Sequence, residues 1–235
     1  MGVMQRAGGS VEVRHLTLDR LIALAAHGDV TPIVEGMQAL SAPSVLRVGI
    51  RAYRLPADLL DLQGSITYGQ RLYLAQAPTD WLELTLRMFS GWFSGEHQRA
   101  GLNPRLRRGL GRAPQALTDR YMDSFGRRAR WCFIAELLPA TRHIGELVAE
   151  LLAFEVRELK VPQNPKWLEA GGAELARFGA LAQVKFLAEA LGCDREEVFS
   201  RPYSECLSEL LMDAQTRRVE HQFNKAIQEE LRTRK

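Results

Sequence analysis

Residues 116–159 read ALTDRYMDSFGRRARWCFIAELLPATRHIGELVAELLAFEVREL, and this stretch decides the fold. Apolar side chains before Pro139 recur every three or four residues, which predicts one helix over 116–138. Because proline lacks a backbone donor and ends helices, we expect a break at Pro139, with Thr141 capping a second helix that continues to residue 159. Two long helices in succession favour a fold built by packing helices against one another.

Leucine and alanine dominate the apolar residues of the 235-residue chain. The sequence holds 34 Leu and 27 Ala against 13 Val and 7 Ile, and the first pair favours helices whereas the second favours strands. Further helices are predicted to start at Thr17, at Asp80 and at Tyr203, the last of them reaching about Leu231. Residues 44–55 alternate loosely and form the one candidate hairpin. We therefore expect an all-α, multi-helix, bundle-like protein with a long C-terminal helix and at most one small β-hairpin.

Glycine and proline are concentrated between Gly95 and Pro114, and these residues punctuate loops. Gly95 also ends the preceding predicted helix. We expect an N-terminal helical part over 1–95, an Arg- and Gly-rich central loop over 96–115 and a C-terminal helical part over 116–235. The two helical parts form either separate units or one continuous domain.

Positive charge is concentrated in residues 99–130. This segment carries nine arginines, no lysine and two acidic residues, a local charge of +7, although the whole chain has a net charge of only +3. Arginine offers a planar fork that binds carboxylate or phosphate through two hydrogen bonds. Three interpretations stay open: a solvated face, a surface for a protein partner, or a nucleic-acid contact. The candidate contact residues within the loop are Arg105, Arg107, Arg108 and Arg112.

The densest aromatic patch lies on the helix that starts at Asp80. Its members keep helical spacing, which is more often typical of a core than of an interface. The apolar surface is wider than one stripe, however, so part of it is expected to pack against another chain. Trp81, Trp92 and Phe93 are the candidate partner contacts in this patch.

The second half of the C-terminal helix is mostly polar but repeats apolar residues every four positions. These residues are Val219, Phe223, Ile227 and Leu231, a narrow seam that suits packing along another helix, in this chain or in a partner. Phe223 and Ile227 are therefore candidate partner contacts. The helix predicted over 173–191 is apolar on several sides and is expected to be central or interfacial.

Chemistry-bearing motifs are missing from the sequence. Three cysteines and five histidines form no CxxC, HExxH or comparable ligand spacing, so we expect no catalytic residues, no metal site and no cofactor. No run approaches the roughly 18 apolar residues that a membrane span needs, and the few cysteines favour a reducing, cytoplasmic setting.

Two stretches, Ile66–Leu72 (ITYGQRL) and Val198–Leu211 (VFSRPYSECLSELL), are similar to segments of small helical proteins encoded in tailed-phage structural gene clusters. These include tail-assembly chaperones and minor virion proteins. The resemblance implies an assembly or structural role with protein partners, in the host cytoplasm or in a virion. The Arg-rich loop is not part of that pattern.

The leading hypothesis is a non-enzymatic structural or assembly protein that binds other protein subunits, either copies of itself or other components. The alternative is a nucleic-acid-binding protein that contacts phosphates through residues 99–130.

Overall fold

The computed structural model of the chain describes residues 4–6, 9–11, 15–76, 80–99, 125–161, 174 and 179–233. Its helices are α1 (Leu18–Ala25), α2 (Thr31–Gln38), α3 (Leu59–Ser65), α4 (Tyr68–Leu74), α5 (Trp81–Arg99), α6 (Ile134–Glu158), α7 (Gly179–Leu191), α8 (Arg195–Val198) and α9 (Tyr203–Thr233). Residues 125–129 are also helical. Its strands are β1 (Met4–Arg6), β2 (Gly9–Val11), β3 (Val45–Val48) and β4 (Arg51–Arg54). The predicted all-α class is confirmed.

Helix α6 lies at the centre of the fold and packs against α2, α3, α5 and β3. It runs without a break through Pro139, so the break predicted there is wrong. Pro139 is close to the start of α6, where its missing N–H costs one hydrogen bond of a long helix. Thr141 caps no new helix. Its hydroxyl donates to the carbonyls of Leu137 and Leu138, at 2.9 and 3.1 Å.

A turn at residues 130–133 interrupts the long helix that was predicted to lead into Pro139. The carbonyls of this turn accept hydrogen bonds from the start of α1, where the Leu18 N–H donates to Cys132 at 3.1 Å and the Asp19 N–H to Arg130 at 3.0 Å. The first N–H groups of a helix have no partner within it. The turn therefore caps α1 from a distant part of the sequence, and a continuous helix would remove these acceptors.

The predicted hairpin over 44–55 is confirmed. Strands β3 and β4 pair antiparallel, with Leu46 opposite Tyr53. Gly49 starts the connecting turn with φ +64°, a left-handed conformation that glycine adopts without strain. A second antiparallel pair, β1 with β2, was not predicted.

Helix α5 begins next to its predicted cap, Asp80, and ends four residues after its predicted end, Gly95. The Asp80 carboxylate accepts hydrogen bonds from the N–H groups of Leu82 and Glu83, both at 2.9 Å, as a capping residue does. At its other end, α5 continues to Arg99, four residues into the segment 96–115 that was predicted to be loop. The rest of that segment lies outside the described residues.

The aromatic residues of α5 form the centre of the hydrophobic core. Trp92 and Phe93 are each 1% exposed, and Phe93 stacks on Phe89 with ring centroids 5.0 Å apart. Tyr53 meets the edge of Phe93 at 5.0 Å. Helix α4 approaches α5 at Gly91, where a Cβ atom would lie 2.4 Å from Leu74. The core therefore depends on large aromatic rings on one side of α5 and, on another side, on Gly91, whose lack of a side chain lets α4 pack closely.

This burial corrects the prediction that Trp92 and Phe93 contact a partner. Both rings are enclosed by the chain itself, and each contributes about 2–3 kcal/mol of burial free energy to folding. Trp81 is half-buried and packs against the same core. The core draws residues from both sides of segment 96–115.

Helix α7 is not central, which corrects one of the two positions predicted for it. Val184, Leu187 and Ala188 face the core, whereas Leu181 is 67% exposed. A helix with one buried and one exposed side is peripheral. The other predicted position, contact with another chain, stays a prediction.

Candidate interaction surface

The predicted partner contacts fall into three groups in the structure. The aromatic group lies in or against the core, as described above. The four loop arginines, Arg105, Arg107, Arg108 and Arg112, lie outside the described residues. Phe223 and Ile227 lie on α9 and are exposed. Of the predicted partner contacts, these two are therefore the ones that the structure places at the surface.

Two segments, Ile66–Leu72 and Val198–Leu211, meet and fix the start of α9 to the body of the protein. The N–H of Tyr68 donates to the carbonyl of Arg201 at 3.1 Å, and the N–H of Gly69 donates to the carbonyl of Phe199 at 2.9 Å. A Cβ atom on Gly69 would lie 2.9 Å from that Phe199 oxygen. Glycine is therefore required where the two backbones meet.

A buried ion pair lies directly beneath this junction. Arg71 on α4 donates two hydrogen bonds to the carboxylate of Glu155 on α6, one of them at 2.7 Å from its Nε. The phenol of Tyr203, the first residue of α9, donates to the same carboxylate at 2.5 Å. The side chains of Arg71 and Glu155 are only 17% and 9% exposed. Three helices are thus joined through one satisfied carboxylate.

Two phenols and one thiol near the junction are held in their neutral forms. Burial raises the pKa of Tyr68, Tyr203 and Cys206 to about 12. The Tyr68 phenol also donates to the side-chain carbonyl of Gln183 on α7, at 3.2 Å. Groups that stay protonated at neutral pH stabilise the packing and offer no nucleophile.

Arg218 attaches the middle of α9 to the end of α6. Its Nε donates to the carbonyl of Lys160 at 3.1 Å, and a terminal nitrogen donates to the carbonyl of Glu158. Carbonyls at the C-terminal end of a helix lack partners within it and carry partial negative charge. The guanidinium therefore satisfies these groups and fixes the direction in which α9 leaves the body.

Helix α9 also carries a row of exposed apolar side chains, which starts before this attachment and continues beyond it. Its last buried side chain is Ala214, yet the helix continues to Thr233. The exposed fractions of the apolar residues are 57% for Met212, 54% for Val219, 64% for Phe223, 40% for Ile227 and 58% for Leu231. We call these five residues the α9 stripe.

The α9 stripe lies on the side of the helix opposite the one that packs on the described body. At about 100° per residue, the buried Ala214 lies about 180° from Phe223 around the helix axis, and the buried Leu210 lies about 140° from it. The members of the stripe lie within about 80° of Phe223. The side of α9 that packs on the body and the side that carries the stripe are therefore opposite.

Charged residues are also divided between the two sides of α9. Within about 80° of Phe223, the described residues of the helix include five acidic side chains and no basic one. The acidic side chains are Glu205, Glu209, Asp213, Glu220 and Glu230. The basic side chains between Tyr203 and Thr233 lie at least about 120° away, and they are Arg217, Arg218, Lys225 and Arg232. Asp213, Glu220 and Glu230 lie within the length of the stripe, whereas Glu205 and Glu209 precede it. The stripe is thus apolar with an acidic border.

The arginines of segment 99–130 that the structure describes fully already have partners within the chain or lie at its surface. The guanidinium of Arg128 lies 5.6 Å from the ring centroid of Phe93, and Arg130 is 3.5 Å from the carboxylate of Asp19. Beside them, Trp131 is 75% exposed; sequence reasoning missed it because it falls in a turn that was predicted to be helix. Nucleic-acid binding by this segment stays a prediction.

A cleft of about 400 Å³ lies between α2, α4, α5 and α6. Its walls are mainly apolar, and an ion pair between Arg142 and Glu146, at 3.3 Å, lies at its edge. Among the described residues that line the cleft, these two are the only titratable side chains. General acid–base or nucleophilic chemistry needs convergent polar groups, and the cleft does not bring them together.

Within the described part of the chain, no cluster of three or more His, Cys, Asp or Glu side chains could hold a metal ion. The helices described there are also too short or too polar to span a bilayer. No protein-family model, curated protein sequence or solved structure matches the chain. Its function is therefore inferred from its own residues.

Proposed function

We propose that this chain is a non-enzymatic structural or assembly protein that binds another protein subunit through the α9 stripe. The observation that carries the proposal is the continuation of α9 beyond its last buried residue, Ala214. Five exposed apolar side chains, four of them beyond Ala214, lie on the side of the helix opposite the one that packs on the body. The resemblance to tailed-phage structural proteins is the reason to expect that the assembly is a virion or an intermediate of its assembly.

The attachment of α9 supports a binding role. The hydrogen bonds of Tyr203 and Arg218 hold the helix in one direction, so little conformational entropy is lost when a partner binds. Exposed Phe, Met and aliphatic side chains in a row are typical of the apolar centre of a protein interface. A helix whose stripe served only the fold would have that stripe turned towards the core.

Site-specific photocrosslinking in the cells that naturally produce the chain tests the proposal. Benzoylphenylalanine replaces Phe223, at the centre of the stripe, and in a control chain it replaces Lys225, which lies on the opposite side of α9. We expect a covalent adduct with one defined protein from position 223 and none from position 225, because only the first faces the partner.

Adducts of equal yield from the two positions would contradict the proposal, and so would the lack of any protein adduct from position 223. Circular dichroism of both chains provides the folding control. Since both positions are exposed, the two spectra are expected to match that of the unmodified chain.

A further inference from the structure

From the acidic border of the α9 stripe, we infer that the partner is a basic amphipathic helix belonging to another protein. This inference rests on the proposed function and adds the chemistry of the partner. It concerns the same surface, which reaches from Met212 to Leu231 and presents apolar groups in its centre and carboxylates along its border.

Three of the five charges on the outward side of α9 are available to a partner. No described basic side chain forms an ion pair with Glu209, Glu220 or Glu230, whereas Asp213 and Glu205 pair with Arg217 and Arg201. Glu230 lies between Ile227 and Leu231 in the stripe itself. A partner that covers the stripe must therefore supply positive charge beside its own apolar residues, since an uncompensated carboxylate resists desolvation.

The same charges disfavour a second copy of this chain as the partner. Two α9 helices that met along their stripes would bring Glu220 and Glu230 of one copy towards the carboxylates of the other, with no basic residue of α9 on that side. Like charges placed together in an interface oppose association. A helix with lysine or arginine beside its apolar row turns each of these contacts into an attraction.

The dimensions of the stripe also fit a helix. Met212 and Leu231 are 19 residues apart, so the stripe is about 28 Å long at 1.5 Å per residue. A partner helix of about 20 residues covers that length. Parallel or antiparallel packing of two helices needs an apolar row on each.

Fluorescence anisotropy with two synthetic peptides and the full-length chain tests the inference. Both peptides are 20-residue amphipathic helices with the same row of leucines; one has lysines beside the row, and the other has glutamates at those positions. Because the whole chain has a net charge of +3, attraction by overall charge would favour the acidic peptide. We expect the basic peptide to bind at least about tenfold more tightly.

Two variants of the chain locate the binding. Phe223→Asp is expected to weaken the basic peptide by about tenfold or more, because it removes the central apolar contact. The pair Glu220→Lys with Glu230→Lys is expected to remove the preference for the basic peptide. The matched control, Lys225→Glu on the opposite side of α9, is expected to change the affinity by less than about twofold.

Several results would overturn the inference. Equal binding of the two peptides, or no binding of either, would exclude a basic helix as the partner, and the proposed function would still stand if position 223 gave its protein adduct. Light scattering that showed a dimer abolished by Phe223→Asp would instead identify a second copy as the partner.

Discussion

The ion pair between Arg71 and Glu155 predicts a large loss of stability when its carboxylate is removed. Glu155→Gln keeps the shape of the side chain but removes the charge, and it leaves a guanidinium that is 17% exposed without a counter-charge. Breaking one side of a buried pair costs about 3–5 kcal/mol. At about 2–4 °C per kcal/mol for a chain of this size, Tm is expected to fall by roughly 10 °C.

Urea unfolding and thermal scans followed by circular dichroism measure this loss. The matched control is Glu146→Gln on the same helix, whose pair with Arg142 is largely exposed, and its cost is expected to stay below about 1 kcal/mol. The combined replacement of Arg71 by Met and of Glu155 by Leu is expected to cost less than Glu155→Gln alone, because no charge is then left buried. Equal costs for Glu155→Gln and Glu146→Gln would refute the reasoning.

The buried thiols and phenols give two further predictions. Burial raises the pKa of Cys132 and Cys206 to about 12, so at pH 8 each is a thiolate in only about one molecule in ten thousand. A thiol-disulfide reagent is therefore expected to modify the half-buried Cys193 in the folded chain and all three cysteines after unfolding. Rapid modification of three thiols without denaturant would be inconsistent with this packing. The free energy of unfolding is also expected to fall as the pH rises from about 9 to 12. The reason is that the folded state keeps protons on these two thiols and on the phenols of Tyr68 and Tyr203, whereas the unfolded state has released them. Unfolding titrations at pH 8, 10 and 11 measure this free energy, and a constant value across the three would contradict the prediction.

Local signals in the sequence located most helices of the protein, but they misplaced the start of the central one. The cap at Asp80 and the hairpin over 44–55 depend on neighbouring residues, and both were predicted correctly. The start of α6 depends instead on the turn that holds Cys132, and this turn is fixed by hydrogen bonds from α1, more than 100 residues earlier in the chain. No periodicity within a short window contains that information.

Whether an apolar row on a helix is exposed or buried also depends on distant parts of the chain. Phe223 and Trp92 both lie in apolar rows at helical spacing, so the sequence cannot tell an exposed row from a buried one by spacing alone. The difference arises because α4 and β4 cover α5, whereas the second half of α9 extends past its last buried residue, Ala214. The sequence alone contains the separation of acidic and basic residues onto different sides of α9, which becomes visible when these residues are projected around the helix axis.

The contact between Gly69 and Phe199 has a consequence for the order in which the protein folds. These residues are 130 positions apart, so α4 is synthesised long before the backbone carbonyls that accept hydrogen bonds from its N–H groups. At about 5–20 residues per second, the delay is on the order of 10 s. Until Phe199 and Tyr203 have been made, the apolar side of α4 and the carboxylate of Glu155 lack these partners, and the nascent chain is open to chaperones and to aggregation.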